Sequence, residues 1–317
     1  MEEDEERHVY SYDAFTRHAF YEDVNRRLVR RAVEFLPVPA AGEKLTVVDL
    51  GCGTGALTAV LAETLGEHRV DATIIAVEPS AAALAVAEQR LAGSAIEVRF
   101  ILGAAADLGG LAPVDAVFFG NAIHLVPDKD ELVATIARVL VPGGLLALNS
   151  AFFTGAYAPG TETFYRLWTA RALRRLRREH PDARLARDRR VPAMDWLSPE
   201  AYAALLGRYG LAVSHCELDE VQMTLRSFQD IGRYWLFIEG ALPGAPLPAG
   251  AEALGYGAAE TFAELSLRSV PRRWLQLIAN ATAVASVYDG SGSRSGTRSA
   301  GDRRPEYRPS MRSYLCR

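Results

Sequence analysis

Three features of the sequence predict an α/β fold built on an open, doubly wound parallel sheet. Short runs of β-branched and apolar residues alternate with amphipathic stretches from Leu45 to Asn149, the pattern of a sheet covered by helices on both faces. The first run, Thr46-Val47-Val48, ends in Asp49 and passes through glycines at alternate positions (Gly51, Gly53, Gly55) into the helical pattern of Leu57 to Leu65. Asp49, Glu78, Asp107 and Asn121 each follow the end of a predicted strand, the edge along which such sheets bind ligands.

Ahead of the sheet, residues 9–35 read as one helix, with Tyr10, Tyr12, Phe15, Phe20 and Tyr21 followed by a stripe of Val24, Leu28, Val29, Ala32, Val33 and Phe35, stopped by Pro37 and Pro39. Packing accounts for most of these aromatics. A segment carrying Tyr12, His18, Tyr21 and Asn25 just ahead of a ligand-binding core also suits a lid. Strands are then expected at 45–50, 73–77, 96–101, 114–119 and 145–149, with helices at 56–66, 80–92 and 129–140. Beyond them, residues 152–190 interrupt the alternation with a loop and a basic helix, 164–179, whose apolar residues include Phe164, Leu167, Trp168 and Leu176. Ser198, Pro199 and Gly210 bracket a further helix before a strand at about 211–218. A helix at 226–239, a proline-marked loop (Pro243, Pro246, Pro248), a helix at 258–268 and a last strand at 274–279 complete the ordered part.

Glycine is needed in the 51–55 turn because it permits positive φ and lets backbone N–H groups close on a ligand at a helix N-terminus. Phosphate and dinucleotide loops use the same device, so the loop by itself leaves the ligand open. Glu78 stands where an acid can accept both hydroxyls of a ribose; a solvated acid beside the Glu78-Pro79-Ser80 turn is the plain alternative. Asp107 could meet an adenine amino group, with Leu108 or Ala106 against the ring, or could merely cap its turn.

Taken in order, Val47-Val-Asp-Leu-Gly-Cys-Gly-Thr-Gly55, Ala76-Val-Glu-Pro-Ser80, Asp107-Leu108, Asp115-Ala-Val-Phe-Phe-Gly-Asn-Ala-Ile-His-Leu125 and Leu140-Val-Pro-Gly-Gly-Leu145 resemble a class I S-adenosylmethionine-dependent methyltransferase. The resemblance is to the small-molecule branch related to the ubiquinone/menaquinone-type enzymes, and it covers about residues 45–150. It implies a Rossmann-like seven-stranded sheet of order 3-2-1-4-5-7-6 with strand 7 antiparallel. It also implies S-adenosyl-L-methionine as cofactor, with Asp49, Gly51, Cys52, Gly53 and Gly55 at the methionine end. Glu78 and Pro79 would lie at the ribose, Asp107 and Leu108 at the adenine, and Asn121 and Ala122 near the sulfonium.

Methyl transfer from a sulfonium is an in-line displacement, so the protein mainly supplies near-attack geometry, water exclusion and, for a protonated nucleophile, a base. His124, directly after strand four, is the candidate base or substrate hydrogen-bond partner; ordering its own loop is the equal alternative. Tyr12 and Tyr21, with His18, are further candidates to close over the methyl group.

The expected organisation is an N-terminal helical lid (1–40), a methyltransferase domain (41–285) with a cap insertion at about 152–195, and a disordered Gly/Ser/Arg-rich tail (286–317). The tail carries seven arginines against three acids, a local charge of 7 − 3 = +4. Arg171, Arg174, Arg175, Arg177 and Arg178 of the basic helix, extended by Arg184, Arg187, Arg189 and Arg190, could receive a phosphate, a carboxylate or an acidic carrier. A solvated face is the favoured reading for most of them, because lysine occurs only at Lys44 and Lys129.

A formal net charge of −4 over 317 residues and the lack of aromatic–basic interleaving argue against a nucleic-acid partner. No apolar run is long enough to span a membrane, and the acidic start, Met1-Glu-Glu-Asp-Glu-Glu-Arg7, is unlike a signal peptide, so a cytoplasmic enzyme of secondary metabolism is expected. Cys52, Cys216 and Cys316 have neither the spacing of a disulfide framework nor that of a zinc site. The preferred function is methylation of O, N or C of a small apolar or aromatic metabolite. A carrier-tethered, phosphorylated or macromolecular acceptor docked on the arginines is the alternative, and a cofactor-binding protein without transfer is the third. A homodimer is left open.

Overall fold

The computed structural model describes residues 9–39, 42–111, 113–183, 185 and 196–282. Its frame is a seven-stranded sheet of order β3-β2-β1-β4-β5-β7-β6, formed by β1 (Leu45–Leu50), β2 (Ala72–Glu78), β3 (Glu97–Leu102), β4 (Val114–Gly120), β5 (Leu140–Ser150), β6 (Leu211–Met223) and β7 (Val270–Ala281). The first five pair in parallel, and β7 runs antiparallel to both β5 and β6. This is the order and strand direction implied by the family resemblance.

Alternation along the central strands divides the core between the two faces. Val48 and Leu50 of β1 join Val117 and Phe119 of β4 on one face. Leu45 and Val47 join Ala116 and Phe118 on the other. Helices cover both: α3 (Ala56–Glu67) and α4 (Ala81–Leu91) follow β1 and β2, and α5 (Lys129–Val139) precedes β5. Asp128 and Ser80 cap α5 and α4 by accepting N–H bonds from Glu131 and Ala83.

A third apolar cluster lies beyond the carboxyl ends of the strands and joins the N-terminal segment to the insertion after β5. It unites Phe15, Tyr21, Phe164, Trp168, Phe228 and Trp274. Here α6 (Glu162–Glu179) packs on α10 (Leu247–Glu264). Their backbones approach so closely that a Cβ at Gly257 would sit 2.8 Å from the Trp168 carbonyl, and the Trp168 indole N–H donates to the Leu254 carbonyl. The cap is therefore built on one core with the N-terminal helices.

Four expectations need correction. The helix expected at 9–35 is two, α1 (Asp13–Thr16) and α2 (Ala19–Val33). His18 between them is extended, with φ −72° and ψ 136°, its ring 3.0 Å from Asp230 Oδ2. The helix expected at 226–239 is also two, α8 (Leu225–Ile231) and α9 (Trp235–Ala241); at the break the Trp235 N–H donates to the Tyr10 carbonyl. In both, a tertiary hydrogen bond outweighs local helical preference. The prolines at 246 and 248 start a helix rather than continue a loop: α10 begins at Leu247 with Pro248 in its first turn, where a missing N–H costs nothing. Strands β5, β6 and β7 are longer than expected, because β6 and β7 pair from Leu211 to Met223 and β5 begins with a bridge from Leu140 to Val114 ahead of a bulge. Helix α7 (Pro199–Arg208) follows its signals, with Ser198 accepting the Ala201 N–H. The readings that fall on residues 1–8, on Arg184, Arg187, Arg189 and Arg190, and on the 286–317 tail lie outside the described residues.

Candidate active site

Asp49, next to last in β1, is fully buried. One carboxylate oxygen accepts the Thr58 hydroxyl at 2.6 Å, whereas the other, Oδ1, has no hydrogen-bond partner among the described residues. Burial pushes its pKa up to about 7; the Thr58 hydrogen bond opposes the rise and the charge of Glu78 adds to it. A buried acceptor of this kind, poised to ionise near neutrality, suits a cationic ligand group.

The loop after Asp49 holds its shape through glycine at two positions in particular. Gly53 has φ +56° and open space where a Cβ would be, so a ligand can approach its backbone. Gly55 has φ +77°, and a Cβ there would lie 3.0 Å from that of Ala87, so it permits the close packing of α3 on α4. Glu78, at the end of β2, ties this loop down: its two oxygens accept the N–H groups of Gly53 and Ser80 at 2.9 and 3.0 Å. Burial raises the Glu78 pKa against the pull of those two donors. Cys52 is a buried thiol pushed upward by burial and by the charges of Asp49 and Glu78, hence no thiolate nucleophile.

Asp107 sits in a 3-10 turn (Ala105–Gly110) after β3. Its Oδ2 accepts the Ala104 N–H at 2.7 Å, which realises the capping alternative for that oxygen. Leu108 beside it is fully buried.

At the end of β4, Asn121 adopts a left-handed φ of +49°. Its side chain bridges two segments, accepting the Ala151 N–H at 2.7 Å and donating to the Tyr12 hydroxyl at 2.6 Å. The N-terminal segment is thereby clamped over the β4 edge, and the Thr54 hydroxyl, which donates to Asp13 Oδ1 at 3.2 Å, adds a second tie to the glycine loop. Tyr12 packs edge-on against Tyr21 and Tyr234. Burial raises the pKa of all three phenols, so they present neutral hydroxyls. Tyr21 also feels the charge of Asp49, which places it within electrostatic reach of the loop. Asn25 accepts an amide N–H from Asn149 at 2.9 Å.

His124 follows in a short 3-10 turn (Ile123–Leu125), its ring 4.3 Å from that of Phe152 and its Nδ1 without a partner among the described residues. Burial, then the charges of Lys129 and Arg272, pull its pKa down to about 3. The imidazole is neutral and offers a lone pair or an N–H.

His124 and Leu125 border a cavity of about 220 Å³. Its walls include Phe152, Tyr157, Tyr165 and Trp196 from the cap and Arg272 from β7. Tyr234, Phe237 and Leu254, from the connection between β6 and β7, close the other side. His18 lies apart from this cavity, held by Asp230.

The Asp49–Gly55 loop, Glu78, the Asp107–Leu108 turn and Asn121–Ala122 lie along one edge, as the strand ends predict. Their chemistry fits an adenosyl sulfonium cofactor: an unsatisfied buried carboxylate oxygen, an open glycine cradle and a half-buried acid at the next strand end. Residues 47–144 match the family model of the methyltransferase domain. The chain is 33% identical over 133 residues to the trans-aconitate 2-methyltransferase of Variovorax paradoxus, covering 41% of this chain and 46% of that protein. It is 33% identical over 160 residues to methyltransferase GfsG of Streptomyces halstedii, covering 48% and 54%. The chain thus spans about half the length of the curated relatives it matches. Among solved structures it is similar to the YcgJ protein of Bacillus subtilis, at 18% identity and a TM-score of 0.47, covering 81% of this chain and 98% of that one. Residues 47–144 thus match a methyltransferase domain, set in a sheet of order β3-β2-β1-β4-β5-β7-β6, and its strand-end chemistry fits S-adenosylmethionine as the cofactor.

Arg272 and most of the aromatic wall escaped the sequence reading. The last strand was expected to begin at Trp274, but Arg272 and Trp274 share a buried face of β7. Extending the period-2 alternation by one step toward the N-terminus would have found the arginine.

Proposed function

We propose that the chain transfers a methyl group from S-adenosylmethionine to a small, flat acceptor held in the aromatic cavity beside His124. One observation carries this reading: the cavity reaches the turn directly after β4, next to Asn121 and Ala122. In this reading Asp49 and the 51–55 loop bind the methionine end, Glu78 with Pro79 the ribose, and Leu108 with Asp107 the adenine. Asn121 and Ala122 border the sulfonium.

Bound cofactor supplies an electrophilic methyl group. The protein's own part is to hold the acceptor in line and exclude water, which the Phe152–Tyr157–Tyr165 wall and the N-terminal segment accomplish. A base whose pKa sits near 3 is too weak to deprotonate an alcohol or phenol at neutral pH. His124 therefore acts as a hydrogen-bond partner that orients the acceptor. The Tyr12 and Tyr21 hydroxyls, neutral and near the β4 edge, position rather than deprotonate. Such a site suits an activated carbon, an amine or an already ionised oxygen. Within the small-molecule branch, the acceptor is flat and of metabolite size.

The alternative of a docked carrier or macromolecule draws less support from the cap. Arg171 pairs with Glu264 and bonds Thr261, Arg175 pairs with Glu179 and Glu252, and Arg178 pairs with Glu179. The test is a screen of the protein with methyl-labelled S-adenosylmethionine against a metabolite extract, read by mass spectrometry. Label in a compound of low molecular mass supports the proposal; label only in protein or nucleic acid refutes it.

A further inference from the structure

We infer that Arg272 is an anion subsite of the acceptor cavity and that the acceptor carries a carboxylate. The inference rests on the acceptor cavity proposed above and names the class of molecule that fills it.

Arg272 is only 6% exposed, yet no acidic side chain pairs with it among the described residues. Its partners are neutral. Nε and Nη2 both donate to the Ala151 carbonyl, and Nη1 donates to the Tyr165 hydroxyl at 3.2 Å. The Tyr157 hydroxyl also hydrogen-bonds to the guanidinium, so of its five N–H groups one remains without a partner among the described residues. The rings of Phe152, Tyr157 and Tyr165 lie 5.2, 5.2 and 5.8 Å from its central carbon and stabilise the cation in part. A buried charge without a counterion is strongly disfavoured unless something supplies the opposite charge. Here the same guanidinium lines the cavity bordered by His124.

The chemistry selects the anion. One cation balances one negative charge, and the remaining guanidinium N–H together with the Tyr165 hydroxyl, which accepts from Arg272 and keeps its own hydrogen to donate, can meet the two oxygens of a planar carboxylate. A phosphate dianion would leave a charge unbalanced among apolar walls. The surrounding rings favour a flat or unsaturated body attached to that carboxylate. Arg272 is then a specificity residue that anchors one end of the acceptor while the other end faces the cofactor edge.

The test uses the protein saturated with S-adenosylhomocysteine and compares benzoate with its neutral isostere benzamide by ligand-observed NMR titration. Wild type should bind benzoate at least tenfold more tightly than benzamide. Arg272→Met should abolish that preference, and Arg272→Lys should reduce it, with affinity for S-adenosylhomocysteine unchanged in both. Equal binding of the two probes to wild type overturns the inference, as does a preference that survives in Arg272→Met. If Arg272→Met does not fold, Arg272→Lys decides: a preference reduced by threefold or more supports the subsite, and an unchanged one overturns it. Failure of wild type to bind S-adenosylhomocysteine would instead strike at the proposed function, so the two readings fail separately.

Discussion

Replacing Asp49 with asparagine should make the cofactor-free protein more stable above neutral pH while disabling cofactor binding. The Asp49 carboxyl ionises near 3.8 in its ordinary state and near 7 in the fold. Between those values the native chain holds a proton that the unfolded chain has released. Stability therefore falls as pH rises from about 4 to about 7, then levels off. A rise of about three pKa units corresponds to about 4 kcal/mol in total. The carboxamide introduced by Asp49→Asn cannot ionise and can still accept the Thr58 hydroxyl through its oxygen, so the variant escapes this cost. Urea unfolding of both proteins without cofactor, at half-unit steps from pH 4.5 to 8.5, should show the variant's advantage growing by about 3 kcal/mol across that window. Parallel curves would refute the buried, ionisable assignment. In the proposed role the same carboxylate must be charged to receive the methionine ammonium. Wild-type affinity for S-adenosylmethionine should therefore weaken roughly tenfold per pH unit below 7, whereas Asp49→Asn should fail to bind it at any pH in that range.

Glu78→Ala should weaken cofactor binding by about 2 kcal/mol or more, the cost of losing a charge-assisted acceptor; calorimetry showing unchanged affinity would remove Glu78 from the ribose site. Gly55→Ala combines a left-handed φ with a 3.0 Å approach to Ala87 and should cost about 2–4 kcal/mol of unfolding free energy. A melting temperature equal to wild type would show that the α3–α4 contact yields freely. Because His124 has a pKa near 3, its imidazole should stay neutral throughout pH 5–9. Accordingly, kcat of His124→Gln should follow the wild-type pH profile at a lower level, and loss of a titration near pH 6–7 in the variant would restore His124 as the base. Tyr12→Phe leaves the Asn121 amide without its acceptor and should cost about 1 kcal/mol, read as a shift in the denaturation midpoint.

Much of the proposed cofactor edge was legible as a row of strand-end residues because its determinants are local. Gly53 and Gly55 must be glycine for the backbone values they adopt, and Glu78 stands at its strand end by virtue of the strand's length alone. Strands β1, β2 and β4 are largely buried, so each reads as a mostly apolar run closed by a polar residue, whereas the edge strand β3 carries Glu97 and Arg99 on an exposed face. The N-terminal helix was harder. Its break at His18 depends on Asp230, more than two hundred residues away, and no pattern within residues 9–35 records that partner. The prolines at 246 and 248 likewise read as a loop until α10 is seen to begin on them.

Sequence alone determined the doubly wound sheet, the glycine cradle and the row of polar residues along its carboxyl edge, because burial on two faces and positive φ each demand particular residue types at short range. Tertiary structure alone decided the aromatic cavity. Phe152, Tyr157, Tyr165, Tyr234 and Arg272 are distant in sequence and come together in a fold in which β7 lies between β5 and β6. It also decided the protonation of Asp49 and His124, since desolvation is a property of everything packed around a group and is not written in the residues beside it.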